Sequence, residues 1–417
     1  MKTLAKSVLG LAVAAAVAAG SVQASEAVTM DPSLTFTYKN YYFHNSDKET
    51  GGKKTNDWSH GLIADFDSGY VNDLVGAVVT AGYAGPLDVD KGAATNVAGG
   101  ANGKGDAISG FQQAYLKAKQ TFSGVDFAGT VGVKKRSLET YADSGSRVLA
   151  GSSTGYDLSA GIEGASLYFT EITGYSERDE STLNGNLSDN VENIRIIGGN
   201  YSYEGLDLVA EYGKSKEGVK QTFVKAAYGF ELDDMSSVDV DLRYGASKAA
   251  GDLVIDEEYK SKYYNLNATY NIGSAYAGLG YNKTDKDGDF VDYYAKGNID
   301  SFNSSLAQWE DYSLAGEKAF LVNAGYNFVD QGLEGLSWDI WYAKGDDAEE
   351  INDFKRREYG SYLSYAFDGS LEGLSLAWLH VNYRAQGTDA SGETTREGTL
   401  YDQDVNRLYL TYSVTAF

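Results

Sequence analysis

The chain has 417 residues, with 35 Lys and Arg against 59 Asp and Glu and a formal net charge of −24. An acidic excess of that size excludes a grip on phosphate backbones, so no nucleic acid is expected as a partner. Cysteine is absent and His44, His60 and His380 stand at no ligand spacing, so disulfides and thiolate metal sites are excluded, a zinc centre is disfavoured, and neither metal nor cofactor is expected.

Residues 1–24 read as a cleaved export signal. Lys2 and Lys6 precede an apolar run from Val8 to Gly20, and Val22-Gln23-Ala24 offers a small-residue cleavage site. Removing two lysines and no acids leaves a net charge of −26 on residues 25–417, which read as one domain. No later segment approaches the roughly 18 uninterrupted apolar residues of a spanning helix.

Beyond the signal, apolar and polar side chains alternate with a period of two, the signature of strands that separate two environments. Tyr264, Leu266, Ala268, Tyr270 and Ile272 interleave with Asn265, Asn267, Thr269 and Asn271. Val238, Val240, Leu242 and Tyr244 similarly leave Asp239, Asp241 and Arg243 on the other face. Ala114, Leu116 and Ala118 leave Tyr115, Lys117 and Lys119, while Val224, Ala226, Tyr228 and Phe230 leave Lys225. Near the end, Leu408, Leu410, Tyr412 and Val414 alternate with Arg407, Tyr409, Thr411 and Ser413; segment 374–385 is ambiguous in phase, and Phe417 falls off phase, which a bulge near Thr415 would explain. If the oily face points outward around a closed ring, its solvent is lipid.

Long polar stretches at 45–57, 88–110, 137–155, 176–192, 214–220, 246–261, 284–311, 346–355 and 386–403 alternate with tight connections such as Ser123-Gly124-Val125, Glu204-Gly205-Leu206 and Leu333-Glu334-Gly335-Leu336. Nine long loops and eight short turns join about 18 strands, an all-β transmembrane antiparallel barrel with long loops outside and short turns in the periplasm. The 49 glycines, 33 tyrosines and only two prolines, Pro32 and Pro86, suit continuous ladders with aromatic girdles. A soluble secreted sandwich also alternates, but at this length it would divide into linked domains, and no linker is visible.

Several segments, in order, resemble the OprD-type specific porins of the outer membrane. They are Ser33-Leu34-Thr35-Phe36 with Lys39-Asn40-Tyr41-Tyr42, Trp58-Ser59-His60-Gly61, Ser68-Gly69-Tyr70 and Leu87-Asp88. Toward the end come Arg357-Glu358-Tyr359 through Phe367, Leu371-Glu372-Gly373-Leu374-Ser375-Leu376 and Val381-Asn382-Tyr383-Arg384. The resemblance implies an 18-stranded barrel whose third long loop, with Tyr141, Asp143 and Arg147, folds inward to constrict the pore. It also implies a ladder of basic side chains along the lumen that guides carboxylates. By lumen phase the candidates are Lys117, Lys119, Lys134, Arg136, Arg195, Lys225, Arg243 and Arg407. The chain departs from the family pattern in having no proline in the third loop, and Ala377 and Leu379 where basic residues are frequent.

The expected function is passive, substrate-selective diffusion of small hydrophilic solutes (amino acids, carboxylates or small oligosaccharides) through an outer membrane porin. The expected surroundings are outer membrane lipid and lipopolysaccharide, with homo-oligomerisation left open. An alternative is a chitooligosaccharide-type sugar porin, for which Tyr41, Tyr42, Phe43, Trp58 and Trp309 would stack on rings rather than form girdles. Acidic Asp285, Asp287, Asp289 and Asp292 read as a solvated surface that binds divalent ions beside lipopolysaccharide, with field steering of cationic solutes as the alternative. A barrel enzyme is disfavoured by the lack of a Ser-His pattern, and a plugged structural barrel would pass no current.

Overall fold

The alternating segments form one antiparallel sheet of 18 strands. Each pairs with its sequence neighbour, and the last, Asp402–Thr415, pairs with the first, Ser33–Asp47, from Thr35↔Thr415 to Asp47↔Gln403. The sheet is therefore a closed barrel, the form in which strands satisfy their backbone groups inside lipid. The structure, a computed structural model, describes residues 30–48, 54–181, 183, 185–187, 191–251, 258–290, 294, 299–388 and 400–417. The signal expected over residues 1–24 and the acidic candidate Asp292 lie outside the described residues.

The long connections fall in the expected order, with shifted ends. Most are shorter than polar composition suggests, 90–107 rather than 88–110 for instance, because strands such as Val75–Val89 run to 15 residues. That is longer than the roughly 9–11 residues that cross a membrane. The seventh connection is instead longer, 285–317 rather than 284–311. Tyr312 there is buried inside the barrel and its carbonyl accepts a hydrogen bond from Asn282 Nδ2 at 3.2 Å. Three of the tight connections, Ser123-Gly124, Glu163-Gly164 and Glu204-Gly205, have positive φ at both residues. This matches the twist of the flanking strands, and glycine at the second position tolerates it.

Leu116, Val224, Leu242, Leu266 and Leu408 all stand exposed on the outer wall, as alternation requires, with Leu242 57 % exposed. The ambiguous segment becomes the strand Leu374–Thr388, with Leu376 and Trp378 outward and Val381, Tyr383 and Ala385 buried inward. The C-terminal phase problem has a local answer one step beyond Thr415. Leu34 accepts from the amide of Ala416 and donates to the carbonyl of Phe417, so two residues face one and Phe417 turns outward. Pro86 also sits at an irregularity, where Trp58 and Ser59 pair with Asp88 and Pro86 and Leu87 is skipped.

The packed core lies inside the barrel's extracellular half. There Tyr141 from the third long loop is buried with Ile172, Tyr175, Ile194, Ile196, Val219 and Tyr294. Val148 and Leu149 from the same loop pack on Ala84, Val89, Val97 and Ile108. Leu306 and Tyr312 from the seventh connection pack on Ala319, Leu321 and Ala343. The inner face of the barrel's extracellular half is thus partly lined by buried apolar clusters.

Replacing Leu242 by Arg places a cation on the lipid face. We expect it to destabilise the barrel by about 2–4 kcal/mol if the position lies near the bilayer midplane, read from denaturant-dependent folding into vesicles. Asn267→Leu, on the inner face of the adjacent strand, should leave that measurement far less changed.

Candidate functional site

The third long loop, 135–151, leaves the strand Val125–Lys134 and crosses the lumen. Its base is tied to the wall by Glu211, whose carboxylate accepts from the amide of Thr140 at 2.6 Å and the amide of Glu139 at 3.2 Å. Asp143 organises the turn. It accepts from the Arg136 amide at 2.7 Å, the Tyr141 hydroxyl at 2.7 Å and the Ser153 hydroxyl at 2.8 Å. A two-residue ladder joins 142–143 to 299–300 of the seventh connection, so the two inward segments hold each other. The far end of the loop seats where glycine leaves room. A Cβ on Gly61 would collide with Val148, and one on Gly82 would lie 2.9 Å from Leu149.

Arg147, just before this seat, lies over the ring of Phe43 with its guanidinium carbon 5.5 Å from the centroid. Arg407 lies over the same ring at 4.2 Å and over Trp309 of the seventh connection at 4.4 Å. Arg407 is only 9 % exposed, and neither its Nε nor that of Arg147 has a hydrogen-bond partner. Arg178, from the connection 177–193, donates to Ser144 at 2.9 Å and Ser146 at 3.0 Å in the third loop. Lys39 reaches the carbonyl of Arg147 at 3.5 Å and sits over Tyr41 at 5.6 Å. Among the described residues, none of Lys39, Arg147 and Arg407 has a carboxylate within ion-pair distance. Burial, Arg178 and Arg407 together press the pKa of Arg147 down to about 9. Asp300 is one of the acids whose charge acts on Arg178, and burial raises its pKa against the pull of Arg178 and Lys135.

The other sequence candidates lie elsewhere. Lys117 pairs with Asp67 at 2.6 Å and Lys119 with Asp73 at 2.5 Å, both beside Tyr70 near the periplasmic mouth. Lys134 and Arg136 share Asp157, at 3.1 and 3.0 Å, and Arg136 is buried beneath the third loop as a pin to the Ser153 carbonyl. Lys225 faces Arg243 across neighbouring strands, and Arg243 is held by Asp241 at 2.6 Å and Asn303 at 3.0 Å. Arg195 is a correction. It stands on the outer wall, paired with Glu171 at 3.0 Å, because its neighbours Ile194 and Ile196 turn inward to pack on Tyr141. Leu379 sits directly opposite Arg407 and Ala377 opposite Tyr409, so the uncharged positions noted in the sequence adjoin a wall cation that has no acid partner among the described residues.

Lys39 and Arg178 were not among the sequence candidates for guiding a solute, and Phe43 was considered only for stacking on sugars. Lys39 lies on the lumen phase of the strand Ser33–Asp47, a signal that was available. Arg178 lies in a connection where no phase exists, so only the fold could bring it to Ser144.

The family described as outer membrane porin, OprD family, matches residues 28–416. This chain belongs to the OprD family. Porin D of Pseudomonas aeruginosa is 25% identical to it, over 91% of each chain. Among solved OprD-like barrels, OccAB1 of Acinetobacter baumannii superposes with a TM-score of 0.79 at 18% identity, covering 94% of this chain and 99% of that one. OccK2 (OpdF) of Pseudomonas aeruginosa gives 0.76 at 20% identity, covering 93% and 98%. As an OprD-family member the protein is an outer membrane, substrate-specific channel and not an enzyme.

Two predictions follow from the constriction of this OprD-family channel. Val148→Asp puts a charge into the apolar seat of the loop tip, and we expect a larger single-channel conductance in planar bilayers with the barrel still folded. Lowering the pH protonates Asp300 at a higher pH than an ordinary aspartate, which removes negative charge beside Arg178. Anion-over-cation permeability should therefore rise as pH falls from 7 toward about 4, and Asp300→Asn should remove part of that rise in reversal-potential measurements.

Proposed function

We propose that this channel selects small solutes bearing a carboxylate, and that Arg147, Arg407, Arg178 and Lys39 form the selecting cluster. The carrying observation is the shared stack on Phe43. Two guanidinium groups lie against one ring, without a carboxylate between them, beside the inward third loop. Like charges held this close are stabilised by whatever anion passes, and guanidinium forks match carboxylate geometry. Stacking on Phe43 and Trp309 fixes each fork in place, which lowers the cost of ordering it when the solute arrives. The solute's hydration is replaced briefly by arginine N–H groups. Because the cluster is spread over several side chains, the carboxylate is handed on and released.

The aromatic residues that suggested sugar stacking divide between two environments. Tyr42 and Trp58 face outward, with Trp58 donating to Asn40 at 2.9 Å, and belong to the outer girdle. Phe43 and Trp309 face the lumen, but their rings are covered by Arg407. That arrangement favours anions over neutral sugars. Two fold relatives were solved with vanillate and with glucuronate, both carboxylates, which agrees in charge with this reading. A single chain encloses the whole pore, so passage requires no second barrel.

The test is liposome swelling with amino acids, dicarboxylates and neutral sugars. Arg407→Gln and Arg147→Ala should each slow entry of carboxylated solutes about tenfold relative to neutral sugars of the same size, the scale of one lost charge-assisted hydrogen bond. An equal effect on charged and neutral solutes would refute charge selection and leave only a change of bore.

A further inference from the structure

A group of this acidic protein's cations stands together on one outer rim. At the extracellular end, Lys344, Arg357 and Arg384 stand directly opposite one another on three adjacent strands. Lys355 lies one outward position above Arg357. Directly opposed like charges destabilise a sheet. Here they line an outward cleft of about 500 Å³ together with Tyr342, Gln386 and Asp402. Three acids face them. Asp346 pairs with Lys344 at 3.2 Å, Asp404 is shared by Arg384 at 2.7 Å and Lys48 at 2.8 Å, and Asp402 accepts from the Ala385 amide at 3.1 Å. Arg357 and Lys355 have no ion pair among the described residues.

A second, independent stretch repeats the pattern. Arg195, Lys214, Lys220, Lys248 and Lys260 form an unbroken cross-strand row on the same outer rim. Lys283 opposite Lys318 lies between the two stretches. The short turns at the other end carry Glu163, Glu204, Glu334 and Glu372 instead. Height fixes what the collar meets. Tyr342 and Tyr359, both exposed on the lipid face, lie one outward position below Lys344 and Arg357, where girdle aromatics mark the membrane–water boundary. The cations just above are at the level of lipid headgroups.

We propose that the cleft formed by Lys344, Lys355, Arg357 and Arg384 binds the phosphate of a phosphorylated outer-leaflet lipid headgroup. The Arg357 and Arg384 forks would clasp the phosphate oxygens, the lysines would supply point charges, and the row from Arg195 to Lys260 would hold further headgroups around the barrel. This site faces away from the pore and is independent of the carboxylate reading.

The experiment titrates the purified, detergent-solubilised barrel with diphosphoryl lipid A, with dephosphorylated lipid A, and with inorganic phosphate, following binding by native mass spectrometry. The wild type should bind diphosphoryl lipid A at least roughly tenfold more tightly than the Lys355→Gln/Arg357→Gln double variant, with the preference weakening at high salt. Dephosphorylated lipid A should bind weakly and equally to both. Heat-modifiable gel mobility and unit conductance establish that the variant is folded. Equal binding of the two lipid A forms by the wild type, which needs no variant, would overturn the proposal. So would unchanged lipid A binding by a folded double variant, or binding of inorganic phosphate alone.

Discussion

Lipid offers no hydrogen bonds, and that constraint organises the whole molecule. Every backbone N–H and C=O in the membrane must find a partner within the sheet, so the sheet must return to its own first strand. The pairing of Asp402–Thr415 with Ser33–Asp47 achieves this over the length of both strands. Once the ring is closed, two-residue alternation assigns each side chain to oil or lumen. A slip of one residue would put Lys117, Lys225 and Arg243 into hydrocarbon.

Closure also creates a cavity that must be partly refilled if the channel is to select. The third and seventh long connections supply that filling, and they do so as a soluble protein would, with buried apolar clusters and satisfied polar anchors. Arg356 and Glu317 illustrate the anchoring. They are 1 % and 0 % exposed and only 2.6 Å apart, and they join the strand Asn352–Ala366 to the end of the seventh connection. Glu358 performs a parallel task, accepting from the Trp309 amide at 3.1 Å and the Trp341 indole at 2.6 Å. Trp309 is thereby held where it can cover Arg407. Rigid anchoring of this kind lets several cations sit close together, because the surrounding packing leaves them no room to separate.

Strand number, order and phase were legible in the sequence because lipid enforces them at every second residue. The constriction was legible only in part. Tyr141, Asp143 and Arg147 were found through a family resemblance, and Arg407 through its phase beside Leu408. Arg195 was misread for a physical reason. Alternation assumes a wet interior, but at that height the interior is occupied by Tyr141 and its neighbours, so Ile194 and Ile196 turn inward and Arg195 outward. The paired candidates, from Lys117 to Arg243, show a second limit. A lone basic residue on the lumen phase says nothing about its acid partner, which can come from a strand or turn remote in sequence, as Asp67 does for Lys117.

Phe43 belongs to the first strand and Arg407 to the last, and the two are register partners across the seam where the barrel zips shut. The stack of Arg407 on Phe43 therefore cannot exist before the first and last strands have met. Closing the wall and assembling the proposed selecting cluster are therefore a single event.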